Sequence, residues 1–256
     1  MRTVEPEREV AGWLAAAGSV TFLTGAGMST DSGIPDFRGP QGLWTKDPSS
    51  QALFTLSNYL ADPAVRVRAW RSRREHPAWV ARPNAAHGAI AAFARTGRLA
   101  AVVTQNIDGL HQASGVPADQ VVEIHGTLRQ AECLGCGRRV PMSDALARVR
   151  AGEDDPPCLD CGGIMKSATI SFGQSLVPAV LDAAVSAARR CDLLVTAGTS
   201  LQVQPAASLC DIAQGSGSRL VVLNAEPTPY DEQAECVLRE RLGTLLPRLL
   251  GDALSS

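Results

Sequence analysis

The sequence predicts an α/β protein built on a doubly wound, mostly parallel sheet. Short segments rich in Val, Ile and Leu alternate with segments that repeat apolar residues at helical spacing. Buried strands separated in this way by helices are typical of sheets that helices cover on both faces. Glycine and polar residues collect where the short segments end, which is where ligands bind in open parallel sheets.

The predicted elements follow one another regularly along the chain. The first helix covers 7–17, where Gly18 ends it, and the first strand covers 19–24. Asn84 supplies the N-cap of a second helix. The remaining predictions are strands at 99–104, 120–124, 169–172, 192–197 and 219–223, and helices at 85–96, 178–190 and 206–213.

Two stretches interrupt this alternation and divide the chain into domains. Residues 39–83 hold short apolar patches and a basic run, and are predicted to be a helical insertion. Residues 127–166 hold two CxxC pairs with little hydrophobic periodicity, and are predicted to be a small separate domain. The sheet-bearing domain then consists of 1–38, 84–126 and 167–256.

Composition excludes several classes of protein. Of 256 residues, 45% are hydrophobic and 20% are charged, which is ordinary for a globular domain. The net charge of −2 gives no strong nucleic-acid signal. No apolar run is long enough to span a membrane, and the charged N-terminus has no apolar segment typical of a secretion signal. We therefore expect a cytoplasmic protein.

Four of the seven cysteines form two CxxC pairs separated by 21 residues: Cys133 with Cys136 and Cys158 with Cys161. In a reducing compartment this spacing indicates a closed, four-thiolate site for one structural zinc ion, which would stabilise a segment poor in apolar residues. The other three are expected to be buried, unreactive thiols: Cys191, Cys210 and Cys236.

The first strand runs into the loop GAGMSTDSGIPDFRG. Gly25 and Gly27 allow the backbone to approach a pyrophosphate closely. An ordinary dinucleotide fingerprint is not present, because Thr30 occupies the third glycine position and no acidic residue ends a second strand about 20 residues on. An NAD dehydrogenase therefore fits poorly. A tight turn would explain the two glycines alone, but 36–38 add a carboxylate, an aromatic ring and a guanidinium to the same loop, which indicates a binding site.

Polar residues also end the later strands. Gln105, Asn106 and Asp108 offer amide and carboxylate groups to a ribose or a carboxamide, although a plain polar turn is the alternative. His125 ends the next strand and is a candidate general base, with a structural histidine as the alternative. Together with the glycine and asparagine that end the last two strands, these residues predict a cofactor cleft at one sheet edge. Of the other histidines, His87 is expected to pack or cap a helix and His76 to face solvent.

Six motifs taken in order resemble the sirtuin family: GAGMSTDSGIPDFRG, TQNIDGLH, HG, the paired CxxC, AGTSLQVQP and NAEPT. The resemblance covers roughly residues 18–249. It implies a Rossmann-like domain, a small zinc-ribbon domain, and NAD-dependent removal of acyl groups from lysine in substrate proteins that bind as extended peptides.

The resemblance also assigns roles by position. NAD-binding residues would be Gly25, Ala26, Gly27 and Thr30 at the diphosphate, Asp36, Phe37 and Arg38 in the cofactor loop, Gln105, Asn106 and Asp108 at the ribose and nicotinamide, and Gly198, Thr199, Ser200, Asn224, Ala225, Glu226 and Leu242 at the adenosine. His125, Asn106 and Asp108 would be catalytic. The peptide would lie as a strand between Phe172, Gly173 and the loop that carries Val203.

The mechanism that the resemblance implies consumes NAD. The acyl-lysine oxygen attacks the ribose carbon as nicotinamide leaves, and His125 then acts as base on a ribose hydroxyl that takes over the acyl group. The products would be free lysine, nicotinamide and O-acyl-ADP-ribose. Two other functions stay open: protein mono-ADP-ribosylation, and a non-catalytic module that binds NAD and zinc.

Two positions depart from the family pattern. Gln174 stands where relatives carry an acidic residue, which removes a charge from the peptide groove. Relatives that favour succinyl or malonyl groups carry Tyr and Arg three residues apart, and the aligned pair here is Trp70 and Arg73. Deacetylation is therefore the default expectation, with acidic acyl groups as an alternative. The run 66–74 would otherwise be a solvated helical face.

Overall fold

The computed structural model describes residues 4–40 and 42–255, so the predictions for 1–3, 41 and 256 lie outside the described residues. In chain order the strands are β1 (Val20–Thr24), β2 (Leu99–Thr104), β3 (Val121–Glu123), β4 (Gly126–Cys133), β5 (Arg139–Pro141), β6 (Met165–Thr169), β7 (Leu193–Ala197), β8 (Arg219–Leu223) and β9 (Cys236–Leu238). Six of them form one parallel sheet in the order β3-β2-β1-β7-β8-β9. The strand order reverses direction between β1 and β7, where α/β sheets open a ligand crevice.

Helices cover both faces of this sheet. The α-helices are α1 (Val4–Ala16), α2 (Leu43–Lys46), α3 (Leu56–Ala61), α4 (Pro63–Arg74), α5 (Ala85–Ala94), α6 (Leu110–Ala113), α7 (Met142–Arg150), α8 (Pro178–Arg190), α9 (Leu209–Gly215) and α10 (Leu242–Ser255). α1, α5 and α10 cover one face and α8 and α9 the other. Successive residues of β1 face opposite sides, with Phe22 in the first core and Leu23 in the second. The predicted doubly wound α/β class is confirmed.

The remaining three strands form a small antiparallel sheet in the order β5-β4-β6. Its core joins α7 and the two CxxC segments to α4 of the insertion, through the fully buried Trp70. This sheet begins at Gly126 and ends at Thr169, slightly beyond the predicted small domain of 127–166. We call this unit of β4–β6, α7 and the four CxxC cysteines the zinc module.

One predicted strand lies elsewhere. The segment 169–172 was expected to form a strand of the parallel sheet. The structure instead has β6, which ends at Thr169 and pairs with β4 of the zinc module. The polar Lys166 and Ser167 pair there with Glu132 and Ala131. Within the predicted segment 169–172, Thr169 ends β6 and Phe172 forms an isolated bridge to Thr55 of the insertion. Within the described residues no helix is long and apolar enough to cross a membrane.

Candidate active site

A cleft of about 1630 Å³ opens at the carboxyl ends of the parallel strands. Loops that follow β1, β2, β3, β7 and β8 line it, as the sequence predicts for this edge of the sheet. The predicted NAD-binding residues that line it are Gly25, Ala26, Gly27, Thr30, Asp36, Phe37, Arg38, Gln105, Asn106, Asp108, Gly198, Thr199, Ser200, Asn224, Ala225, Glu226 and Leu242. His125 lines the same cleft.

The glycines at its base are required by close backbone contact. The Gly27 amide donates to the Gly198 carbonyl at 2.8 Å. A Cβ on Gly25 would lie 2.7 Å from Thr199 Cβ, and one on Gly198 would lie 2.4 Å from the Met28 nitrogen. Gly198 also has φ of +64°, which side chains disfavour. The loops after β1 and β7 can therefore meet only without side chains here, and their glycines line the cleft where the resemblance predicts the diphosphate.

The loop after β2 carries Asn106 and Asp108 into the cleft. The Asn106 side-chain amide donates to the Gly25 carbonyl at 3.0 Å and to the Ser29 hydroxyl at 3.1 Å. The Ser29 hydroxyl donates to the Asp108 carboxylate at 2.7 Å, and the Leu110 amide donates to the same carboxylate at 2.9 Å. Ser29 thus joins the two predicted catalytic side chains, although no sequence-based prediction included it. Its place inside the first motif is the signal that would have found it.

His125 follows β3 and is held as a neutral imidazole. Its Nδ1 lies 3.2 Å from the carbonyl oxygen of Gln105, whose side-chain amide donates to the Thr199 hydroxyl at 2.8 Å. A carbonyl only accepts, so Nδ1 carries the ring proton and Nε2 holds the lone pair. Burial lowers the pKa of His125 below its ordinary value, against the opposing effect of the hydrogen bond to Gln105. The ring is therefore unprotonated at Nε2 near neutral pH, as a general base requires.

The cofactor loop forms an aromatic wall of the cleft. Asp36 accepts from the Gly39 amide at 2.9 Å, which fixes the turn. The Phe37 ring lies 4.7 Å from Trp44, and the Arg38 guanidinium lies 4.7 Å above the Trp44 ring. Burial lowers the pKa of Arg38. The ring centroids of Trp44 and Phe172 are 5.6 Å apart, so this loop also reaches the predicted peptide groove.

The opposite end of the cleft is organised by Arg239. Its Nη1 donates to the carbonyls of Asn224 at 3.0 Å and Glu226 at 2.6 Å, and its Nη2 pairs with Asp231. The Asn224 side chain donates to the Glu226 carbonyl at 2.7 Å. Leu242, at the start of α10, closes this end. Arg239 therefore fixes the loop that is predicted to hold the adenosine, and no sequence-based prediction included it.

The structure corrects half of the predicted acyl-binding pair. Trp70 is fully buried in the core shared with the zinc module and does not line the cleft, because α4 turns this residue toward α7 and β6. Arg73 does line the cleft, and burial lowers the pKa of its guanidinium. Its guanidinium carbon lies 5.7 Å from the Tyr59 ring centroid. Among the described residues no carboxylate forms an ion pair with Arg73.

His76 is also placed differently from its prediction. It lines the cleft near Arg73 rather than facing solvent, and burial lowers its pKa. Its Nδ1 accepts from the Ala78 amide at 3.1 Å, so Nε2 carries the proton of the neutral ring. In the basic run, Arg66 is mostly buried and pairs with Asp155 at 2.6 Å, whereas Arg68 and Arg71 are exposed.

The peptide groove that was predicted from the resemblance is only partly open to backbone pairing. The Phe172 amide donates to the Phe54 carbonyl at 2.7 Å, and its carbonyl accepts from Leu56 at 3.0 Å. Gly173, with φ of +83°, follows directly and lines the cleft opposite Val203. The backbone groups of Phe172 are therefore engaged by the insertion, which leaves Gly173 as the candidate for pairing with the predicted substrate strand.

The four cysteines of the CxxC pairs meet at one point. The sulfurs of Cys133, Cys136, Cys158 and Cys161 all lie within 4.8 Å of one another. The amides of Gly135 and Cys136 donate to Cys133 Sγ at 3.3 and 3.5 Å, as in thiolate metal sites. The hydrogen bond from the Cys136 backbone lowers the pKa of Cys133 to about 6. Four soft ligands at this spacing fit one tetrahedral zinc ion, closed and therefore structural.

Fold and site together define an NAD-binding α/β protein with a structural zinc site. A sequence profile described as the Sir2 family matches residues 25–205, and the chain belongs to that family. The NAD-dependent protein deacetylase 2 of Streptomyces coelicolor is 56% identical over 231 residues, which cover 90% of this chain and 96% of that protein.

Solved structures extend the comparison to the whole fold. A Sir2 protein with a deacetylated p53 peptide and 3'-O-acetyl ADP ribose has a TM-score of 0.88 and 33% identity, covering 96% of this chain and 97% of that chain. A Sir2Tm structure bound to a propionylated peptide has a TM-score of 0.86 and 31% identity, and the match covers 97% of this chain and 99% of that chain. The predicted family membership is thus confirmed by both sequence and fold.

Proposed function

We propose that this chain removes acyl groups from protein lysines with NAD as co-substrate, and that acetyl-lysine is its default substrate. The observation that carries the proposal is the state of His125, a neutral imidazole with its lone pair at Nε2. It lies in the same cleft as the glycines of the first motif. Relatives named NAD-dependent protein deacetylases align over nearly the whole chain, which supports the same assignment.

The residues of the cleft divide the chemistry between them. NAD, when bound, supplies a ribose carbon from which nicotinamide leaves and to which the acyl oxygen of the substrate adds. Asn106 and Asp108, held rigidly through Ser29, orient the ribose and the leaving nicotinamide. His125 accepts a proton at Nε2 from a ribose hydroxyl, and that oxygen takes over the acyl group. We infer O-acyl-ADP-ribose, nicotinamide and free lysine as products, with one water molecule consumed as the lysine amine leaves the acyl carbon.

The unpaired Arg73 favours a second class of substrate, in which the acyl group ends in a carboxylate. A half-buried guanidinium without a carboxylate partner gains a charge-assisted hydrogen bond when succinyl- or malonyl-lysine enters. His76 lines the same wall and offers an Nε2–H as a second donor. Trp70 takes no part in this recognition.

The substrate peptide, in this proposal, lies extended between Gly173 and Val203 and pairs mainly through its backbone. Gln174 lines this groove without a charge, and its side-chain oxygen accepts from the Ser171 amide at 3.2 Å. We therefore expect broad tolerance of the residues that flank the acyl-lysine.

The decisive experiment incubates the protein with NAD and matched acetyl- and succinyl-lysine peptides, and follows nicotinamide release and peptide mass. Deacylation that is lost in His125→Ala would support the proposal. Transfer of labelled ADP-ribose to protein without deacylation would replace it with mono-ADP-ribosylation. Binding of NAD with no turnover of any peptide would favour the non-catalytic module.

A second comparison tests Arg73. The variant Arg73→Leu should lower desuccinylation about tenfold or more, which is the effect expected from the loss of one charge-assisted hydrogen bond. Deacetylation should stay within about twofold. Arg74→Leu is the matched control, because Arg74 pairs with Glu75 and does not line the cleft. Equal loss of both activities in Arg73→Leu would show that Arg73 does not select the acyl group.

A further inference from the structure

Two imidazole rings lie buried directly behind the cleft. His87 on α5 is 0% exposed and His111 on α6 is 1% exposed, and their ring centroids are 4.9 Å apart with the planes tilted by 56°. Two of their nitrogens, His87 Nε2 and His111 Nδ1, have no hydrogen-bond partner among the residues that the structure describes. Unpaired buried polar atoms are rare in proteins, so two in neighbouring rings require an explanation.

The hydrogen bonds of His87 fix its tautomer. Its Nδ1 accepts from the Asn84 amide at 3.4 Å, as part of the capping box that begins α5. Burial lowers the pKa of His87 to about 4, so the ring is neutral at pH 7 and carries one hydrogen. Because Nδ1 accepts, that hydrogen is on Nε2. The unpartnered nitrogen of His87 is therefore a donor.

The same reasoning gives His111 the complementary form. Its Nε2 lies 3.0 Å from the Thr24 hydroxyl oxygen, and the one hydrogen of that hydroxyl is donated to Thr104 Oγ1 at 2.8 Å. His111 Nε2 must therefore be the donor toward Thr24. Burial lowers the pKa of His111 to about 3, so its Nδ1 holds a lone pair at pH 7. The unpartnered nitrogen of His111 is an acceptor.

We propose that His87 donates from Nε2 to Nδ1 of His111, directly or through one buried water, and that both are positioning residues for the cleft. A donor and an acceptor, each without another partner among the described residues, thus belong to two neighbouring buried rings, one on α5 and one on α6. The structure shows no direct bond between these two nitrogens, so one buried water, or a small rotation of either ring, would complete the contact. The pair then extends a single directed series of hydrogen bonds from Asn84 through both rings to Thr24 and Thr104.

This series ends at the proposed active site. Thr104 Oγ1 also accepts from the backbone amide of Asn106 at 3.1 Å. At its other end, the Asn84 side chain donates to the Met28 carbonyl at 2.9 Å and to Ser32 at 3.1 Å, in the loop after β1. The two rings thus connect both loops that line the base of the cleft. Their effect on turnover rests on the proposed function, since it acts through the placement of Asn106.

The tautomers are tested by ¹⁵N NMR of the full protein labelled at histidine, at pH 7, with signals assigned from single variants. We expect His87 and His111 both protonated at Nε2 only, with either a coupling across the N–H···N bond or a slowly exchanging His87 proton. A His87 ring protonated at Nδ1, or a charged ring at pH 7, would overturn the proposal. This measurement does not depend on activity, so it separates the proposal from the failure of deacylation.

Kinetics test the positioning role. His87→Phe and His111→Phe should lower kcat about tenfold or more with little change in the KM for the acyl peptide, and His111→Gln should recover part of the loss because its amide can donate to Thr24. Phe93→Leu on α5 is the control for packing, with lower stability and unchanged kcat. Folded Phe variants with a kcat within about twofold of the parent would show that the pair only packs. If neither Phe variant folds, the NMR result decides.

Discussion

Arg129 of β4 donates from Nη2 to the main-chain carbonyl of Asp108 at 2.8 Å. The neighbouring Leu128 amide donates to the Ile107 carbonyl at 2.9 Å, so β4 is joined to the cleft loop at two successive residues. A Cβ on Gly109 would lie 3.2 Å from the Arg129 side chain, and Gly109 has φ of +73°, so the turn suits glycine. The zinc module therefore helps to place the Asp108 carboxylate.

Removing this contact should weaken NAD binding more than chemistry. In Arg129→Met the side chain keeps its length but loses the hydrogen bond, which contributes about 1.5–3 kcal/mol for a charged donor and less where solvent screens it. We expect the KM for NAD to rise about threefold to tenfold, with kcat within about twofold. Arg139→Met is the control, because Arg139 lies on β5 and pairs with Glu132 away from the cleft. An unchanged KM in Arg129→Met would contradict a positioning role.

The pH dependence of the reaction should follow the protonation of His125. As the proposed general base, His125 must be neutral at Nε2, and burial holds its pKa below the ordinary value of 6.5. The decline of activity toward low pH should therefore have its midpoint below pH 6.5. The measurement is kcat/KM for NAD from pH 5 to 8 with saturating acetyl peptide, beside a test that the protein remains folded. A decline centred at or above pH 6.5 would show that His125 is not held neutral by its surroundings.

The sequence predicted the parallel sheet and the cleft because both depend on local patterns. Buried strands, the residues at their carboxyl ends and the glycines at close backbone contacts are each visible within a few residues of chain. Gly25 and His125 were found in this way, and the structure places both at the cleft. The paired CxxC motif likewise fixes a metal site by ligand type and spacing alone.

What the sequence did not show depends on packing between distant segments. Trp70 and Arg73 are three residues apart on α4, a spacing that places both near one face of a helix. The orientation of α4 is set by its packing on the zinc module, which buries Trp70 and leaves Arg73 at the cleft. The pairing of β6 with β4, and not with the parallel sheet, depends in the same way on where the CxxC segments meet.

Trp70 should matter for stability and not for acyl choice. Its indole is fully buried beside Met142 and Met165, and its Nε1 has no hydrogen-bond partner among the described residues. We expect Trp70→Ala to lower the free energy of unfolding by about 3–5 kcal/mol, and Trp70→Phe to cost less because it fills most of the space. Denaturant unfolding measures both. A folded Trp70→Phe variant with a changed ratio of desuccinylation to deacetylation would restore the sequence-based prediction.

Removal of zinc should loosen the zinc module and, through it, the cleft. A structural metal site contributes folding free energy directly, and here Cys133 and Cys158 belong to the core that surrounds Trp70. Treatment with a chelator, or the substitution Cys136→Ala, should therefore shift tryptophan emission to the red and raise the KM for NAD.

Cys210→Ala is the matched control, since Cys210 is a buried thiol of the main domain whose pKa burial raises to about 12. Loss of zinc, verified by metal analysis, without a change in emission or KM would show that the module holds its shape by side-chain packing alone. The placement of Asp108 by Arg129 would then be independent of the metal.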